Sequence, residues 1–276
     1  MTITLDSKIG LIAGNGQLPV IWAKNAKLNG IEVVTISLSA DNKKELKKHS
    51  AKVYDFGPGQ IQKISDTLQD EGIKQLAFIG KVHKGLVLRR PKFDARAIEL
   101  LKQAKRLNDD AVMLMAVSEL EKIGITVIDQ TIFIKELMVP TGVLGSVKPT
   151  KEQEDDAKYG FWVAKAMGQV DIGQTVVIKN KMVMAVEAIE GTDKCIERGA
   201  KIAKKGAVVV KTAKPSQDLR FDVPAFGLAT LKTMKKYKAS VIAVEANNTI
   251  IVDKAKVIDY ANAHNIVVMA IWRKFL

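Results

Sequence analysis

Short apolar runs alternate with longer amphipathic stretches through the first half of the chain. The runs at 9–13, 31–37, 52–56 and 75–80 have strand length, whereas 18–28, 42–48 and 60–70 carry helical spacing. Such βα alternation predicts a parallel, doubly wound sheet. Helices at 95–106 and 110–122 and a strand at 125–128 complete the unit. Periodicity then breaks in Val139-Pro140-Thr141-Gly142-Val143-Leu144-Gly145, so the natural division is 1–135 and 136–276. The second half predicts a helix at 151–167, strands at 175–178 and 182–187 turning at Asn180-Lys181, and a strand at 207–210. A helix ending near Tyr237, a strand at 241–244, a helix at 253–264 and a strand at 266–271 follow. The fold class is α/β, with a Rossmann-like parallel-sheet N-terminal domain and a second, mixed α/β domain.

Composition narrows the partners. The 276 residues include 43 Lys and Arg against 30 Asp and Glu, a formal charge of +13, which points to an anionic partner: nucleic acid, a phosphorylated metabolite or an acidic membrane surface. Aromatics are 5% of the chain, too few for a reader of single strands built on base stacking, and no recognition signature is present. Nucleic acid is therefore not expected. The one cysteine, Cys195, excludes an intrachain disulfide framework and fits a reducing cytoplasm. The first eight residues lack the basic-then-apolar pattern of a secretory signal, and no run is long enough to span a bilayer.

Candidate chemistry gathers in two places. Gly14-Asn15-Gly16-Gln17 links the first strand to the first helix, where backbone N–H groups and the helix N-terminus favour an anion and glycine admits a ligand close to the backbone. Pro19 replaces the third glycine of a dinucleotide fingerprint and Ser37 the ribose-binding acid, so the turn suits a mononucleotide or nucleotide sugar better than NAD. A plain βα turn without ligand is the alternative. In a parallel sheet the loops from Gly14, Gly57 and Gly80 share one rim, to which Lys81, His83, Lys84, Arg89, Arg90 and Lys92 bring positive charge. Asp109 and Asp110 start a helix, where Asp109 or Asn108 has an ordinary capping role.

The second place is Asp218-Leu219-Arg220-Phe221-Asp222-Val223-Pro224, closed by Gly227 and preceded by Lys214. Carboxylates for a divalent cation stand beside donors for phosphate. The bland reading makes Asp218 and Arg220 a surface pair and Pro224 the start of a turn. Upstream, Glu187 to Asp193 form an acid-rich turn in which Thr192 or Asp193 is expected to cap the next helix.

Ordered motifs then converge. Gly10-Leu11-Ile12-Ala13-Gly14-x-Gly16-x-Leu18-Pro19, Asp109-Asp110-Ala111, Val139-Pro140-x-Gly142-x-Leu144-Gly145, Asp171-Ile172-Gly173-Gln174, Ala185-Val186-Glu187-Ala188-x-Glu190-Gly191-Thr192-Asp193 and Arg220-x-Asp222-x-Pro224-x-x-Gly227 together resemble the Mg²⁺-dependent, two-domain UDP-2,3-diacylglucosamine pyrophosphatase family of lipid A biosynthesis. The resemblance implies hydrolysis of UDP-2,3-diacylglucosamine to UMP and 2,3-diacylglucosamine 1-phosphate (lipid X). It implies a cytoplasmic enzyme visiting the inner-membrane surface, compatible with a homo-oligomer, with substrate held between two domains. The family's essential aspartate falls on Asp222. The catalytic candidates are Asp222, Arg220 and Asp218, with Mg²⁺ held by Asp222 together with Asp218 or Glu187. The substrate-binding candidates are Gly14, Asn15, Gly16, Gln17, Lys81, Asp109, Asp110, Gln174, Glu190, Gly191, Thr192, Asp193 and Lys214. A nucleotide-dependent oxidoreductase and a basic nucleic-acid-binding protein are the rival classes.

Overall fold

The computed structural model describes residues 4–81, 93–103, 109–215 and 217–271. The basic stretch 82–92, with His83, Lys84, Arg89, Arg90 and Lys92, and Asn108 lie outside them, as do the side chains of Asp109 and Asp110. The chain divides into one unit of residues 1–135 with 219–221, and another of 136–218 with 222–276.

The first unit is built on a five-stranded parallel sheet in the order β3-β2-β1-β4-β5. Its strands are β1 (Lys8–Ala13), β2 (Glu32–Ser37), β3 (Lys52–Asp55), β4 (Gln75–Ile79) and β5 (Thr126–Val127), and its helices are α1 (Leu18–Leu28), α2 (Lys43–His49), α3 (Ile61–Asp70), α4 (Ala95–Gln103) and α5 (Asp109–Lys122). The central strands are buried almost throughout. That is why they read as continuous apolar runs without alternation: helices cover both faces of a parallel sheet. Ile12, Val34, Ile36, Leu68, Leu76 and Val127 share one core cluster. Trp22 of α1 meets Phe133 edge-on, with ring centroids 4.9 Å apart. The register sets Ala13 beside both Ser37 and Ile79. The loops leaving β1 and β4 are thereby adjacent where strand order reverses, which is where open α/β sheets take ligands.

The second unit carries a six-stranded mixed sheet in the order β6-β13-β11-β9-β7-β8. The strands are β6 (Gly142–Leu144), β7 (Thr175–Lys179), β8 (Met182–Val186), β9 (Ala207–Lys211), β11 (Ala239–Glu245) and β13 (Val267–Ile271); β10 (Ala225–Phe226) and β12 (Ile250–Ile251) pair separately. Helices α6 (Lys151–Gln169), α7 (Thr192–Ala203), α8 (Leu228–Lys236) and α9 (Lys254–Ala263) accompany them. Strands β9, β11 and β13 run parallel, while β6, β7 and β8 pair antiparallel.

Three local features explain how this unit forms. A capping box between Thr150 and Gln153 starts α6. Residues Asn180 and Lys181, at φ 52° and 55°, form the expected hairpin turn without the usual glycine. The buried Asp156 carboxylate offsets that strain by accepting both their backbone N–H groups, at 2.9 and 2.6 Å. The stretch read from sequence as a break contains β6, whose pairing with β13 comes from tertiary context, since Gly142 and Gly145 both have positive φ.

Candidate active site

The loops at the C-terminal ends of β1 and β4 are stitched together. Gly14 N–H donates to the Ile79 carbonyl at 2.8 Å, Asn15 N–H to the Lys81 carbonyl at 2.8 Å, and Lys81 N–H returns to Asn15 at 3.1 Å. A Cβ on Gly14 would lie 2.7 Å from the Lys81 carbonyl oxygen, so this glycine is required by chain packing. Gly16, at φ +100°, faces open space on its Cβ side. Gln17 is the N-cap of α1 and makes no side-chain capping bond. The buried Asn42 amide, which sequence reasoning assigned only to a helix start, donates to the carbonyls of Gly14 (3.0 Å) and Gly16 (2.6 Å). It holds the shape of the turn. Asp109 and Asp110 open α5.

In the second unit, strand register sorts the polar residues of one sheet edge into two rows. Thr175 pairs with Lys211, and Glu187 N–H bonds to the Thr175 carbonyl at 2.8 Å, so Glu187, Thr175 and Lys211 stand abreast on one face. The neighbouring row, Gln174, Thr212 and Glu245, faces the other way: Thr212 N–H donates to the Gln174 carbonyl at 3.0 Å, and Val244 pairs with Lys211. The apolar residues beneath obey the same parity. Val177, Val209 and Val244 belong to the core with α7, and Val176, Val210 and Ala243 to the core with α6.

The α7-facing row is a relay. Lys211 Nζ donates to Thr192 Oγ1 at 3.2 Å and to the Ala225 carbonyl at 3.1 Å, and the Thr192 hydroxyl donates to Glu187 Oε1 at 2.9 Å. Thr192 therefore does not cap α7 as expected. Gly191, at φ +82°, occupies the N-cap without a side-chain bond, and Asp193 sits exposed in the first turn. Glu187 is buried, and its Oε2 has no hydrogen-bond partner. Glu190 pairs with Arg198 at 2.6 Å, which holds its carboxyl below the usual range.

Beyond β9 the chain runs into the motif around Asp222. Lys214 N–H donates to Gln217 Oε1 at 2.7 Å, the Gln217 amide donates to Asp222 Oδ2, and Asp222 N–H bonds to the Asp218 carbonyl at 3.0 Å. Lys214 Nζ reaches Asp171 at 2.7 Å. Leu219, Arg220 and Phe221 belong to the first unit. There Phe221 packs on the core, the Leu219 carbonyl accepts from Gln130, and Arg220 pairs with Glu121 at 3.2 Å.

The structure thus joins Gly14, Asn15 and Lys81 in one turn, Glu187 and Thr192 in one relay, and Lys214 and Asp222 in one network. Asn42 and Lys211 are linking residues that the motifs did not single out; Gln217, which stands just ahead of the Asp218–Pro224 stretch, links Lys214 to Asp222. Among the described residues, no three ligating side chains form a metal cage.

Family models decide what this arrangement belongs to. The LpxI N-terminal domain matches residues 8–137 and the LpxI C-terminal domain residues 140–269. The chain belongs to the LpxI family. It is 32% identical over 280 residues to UDP-2,3-diacylglucosamine pyrophosphatase LpxI of Caulobacter vibrioides, covering 96% of this chain and 97% of that one. Among solved structures, the ADP complex of N5-carboxyaminoimidazole synthetase from Staphylococcus aureus is 14% identical over 74% of this chain and 47% of its own, at TM-score 0.28. The biotin carboxylase subunit of pyruvate carboxylase is 18% identical over 66% and 36%, at TM-score 0.27. Those two likenesses carry no argument for this LpxI-family chain. Among the described residues no helix is long and apolar enough to cross a membrane.

Proposed function

We propose that the chain hydrolyses the pyrophosphate linkage of UDP-2,3-diacylglucosamine, with water adding to the phosphorus nearer the sugar and UMP leaving with the bridging oxygen. The products are UMP and 2,3-diacylglucosamine 1-phosphate. The observation that carries this reading is the 32% identity to a UDP-2,3-diacylglucosamine pyrophosphatase across 96% of the chain.

The oxygen donors fit a hard cation. Asp222 is aimed by Gln217, and Glu187 keeps a buried Oε2 without a partner. Mg²⁺ takes one or two carboxylates and completes its shell with phosphate oxygens and water. When bound, it would neutralise the diphosphate and act as a Lewis acid. Asp222 is proposed to hold that cation or to orient the attacking water, with Asp218 beside it. Arg220 and Lys214 supply positive charge to the phosphate oxygens as charge develops. At the Gly14–Gln17 turn, the N-terminus of α1 and Lys81 would take the nucleotide phosphate. The net charge of +13 favours visits to an anionic cytoplasmic leaflet.

The test is UMP release from UDP-2,3-diacylglucosamine by the native chain and by Asp222→Asn, with Mg²⁺ present or chelated, in water enriched in ¹⁸O. Activity lost on chelation and on substitution, with label in the 1-phosphate product, supports the reading. A folded native chain that releases no UMP overturns it.

A further inference from the structure

We propose that Lys165 and Glu245 are positioning residues for the Asp222 carboxylate, a role that rests on the reading of Asp222 given above. The contacts to Asp222 start where β9 ends. Thr212 makes the last cross-strand bond, to Gln174, and Ala213 follows with only 4% of its surface exposed. A buried backbone N–H and C=O that have left the ladder need other partners.

One ion pair supplies both. Ala213 N–H donates to Glu245 Oε2 at 2.9 Å, Lys165 Nζ donates to the Ala213 carbonyl at 2.7 Å, and Lys165 and Glu245 meet at 2.6 Å. Asn248 satisfies Glu245 Oε1 at 3.1 Å. The next residue, Lys214, gives its N–H to Gln217, and Gln217 gives its amide to Asp222. Apart from the rigid peptide bond between Ala213 and Lys214, each step is a directional hydrogen bond, so the orientation of Ala213 is passed to the carboxylate.

The helix bearing Lys165 is seated to serve this purpose. A Cβ on Gly160 of α6 would lie 2.5 Å from Val210 Cγ2, and one on Gly168 would lie 3.2 Å from Lys214 Cα. Thus α6 touches β9 on one side of Lys165 and the outgoing turn on the other. Phe161, one turn earlier, lies under Lys165 Nζ at 5.5 Å from the ring centroid. Glu245 ends β11, the strand paired with β9. Stability alone does not call for this pair, because a buried ion pair is commonly replaceable by apolar residues at no loss. Fixing the direction of Ala213 does require it.

The experiment measures steady-state UMP release and amide hydrogen exchange over residues 213–222 for Lys165→Met, Glu245→Gln, Lys165→Arg and the native full-length chain, with folding matched by circular dichroism. Expected are a kcat lowered tenfold or more with KM within twofold for the first two variants, faster exchange over that segment, and recovery of most of the rate in Lys165→Arg. Combining Glu245→Gln with Gln217→Ala should be no slower than the slower single variant, since both act along one path. Unchanged kcat in folded variants, a raised KM at constant kcat, or fully multiplying losses overturns the proposal. Should a single variant fail to fold, Lys165→Met/Glu245→Leu removes both charges and reads the same kcat loss or its absence. If the native chain releases no UMP, the reading of Asp222 falls, and the exchange rates alone decide whether the pair orders the segment.

Discussion

Gly14 and Gly80 meet backbone to backbone at the ends of β1 and β4. A Cβ on Gly14 would stand 2.7 Å from the Lys81 carbonyl oxygen, and one on Gly80 would stand 2.8 Å from the Asn15 carbonyl oxygen. Gly80 also has φ +96°, whereas Gly16, at φ +100°, has nothing within 4 Å of its Cβ position. Overpacking against backbone costs about 1–3 kcal/mol and a left-handed non-glycine residue about 1–2 kcal/mol. Gly80→Ala carries both costs and Gly16→Ala only the second. Urea denaturation should show Gly80→Ala losing roughly twice as much stability as Gly16→Ala. Equal losses would mean that the two loops separate freely and that the stitching is not a rigid feature.

Thr192 gives its hydroxyl proton to buried Glu187 and accepts from Lys211. Removing the hydroxyl takes a hydrogen bond from the carboxylate of a buried residue, at a cost of about 1–3 kcal/mol. Thr192→Val is expected to lower the unfolding free energy measured in urea by that amount, and Thr192→Ser to restore it, because only the hydroxyl matters to the relay. A Ser variant as unstable as the Val variant would show that the γ-methyl packing, not the hydrogen bond, carries the effect.

The contrast between these two positions shows what sequence can and cannot reveal. The first sheet was legible because its central strands are buried on both faces, and α1 spans 18–28 as its spacing indicates. The strand β6 was hidden, since a short stretch between two glycines at positive φ has no propensity of its own and pairs only because β13 lies beside it. Within the site, motifs pointed to Thr192 and Glu187 but gave Thr192 a capping role that Gly191 fills. Lys211 ends an apolar strand, where a buried lysine and a solvated one look alike in sequence. Asn42 reads as an ordinary helix start although its amide serves the Gly14 turn. Which side chain links to which follows from strand register, and register is a property of the folded sheet.

Glu71 is held at the end of α3 by Lys52 at 2.7 Å, Tyr54 at 2.6 Å and Lys8 at 2.9 Å. The hydrogen bond from Lys52, then those from Tyr54 and Lys8, lower its pKa from 4.5 to about 2. A depressed carboxylate pKa contributes stability above the unfolded value, and that contribution disappears as pH falls through the folded value. The gap in urea midpoint between the native chain and Glu71→Gln should therefore be largest above pH 4.5 and close as pH falls toward 2. Parallel pH profiles for the two proteins would show that the three donors do not stabilise the charged form.

Cys195 offers the last test, because it lies against the same sheet edge as the relay. Its side chain is fully buried, and Sγ donates weakly to the Thr175 carbonyl at 3.8 Å. Burial first, and then the negative charge of Glu187, push the thiol up to about 12. Since the thiolate is the reactive form, the folded protein should resist a thiol reagent at pH 8 and be labelled only through the small unfolded or locally open population. Thr192→Val, which loosens the first turn of the helix carrying Cys195, should speed labelling by the factor by which it raises the unfolded or locally open population. Labelling of the native protein as fast as that of a free thiol would show that α7 does not stay packed on the sheet edge. The relay from Lys211 through Thr192 to Glu187 could not then persist in solution.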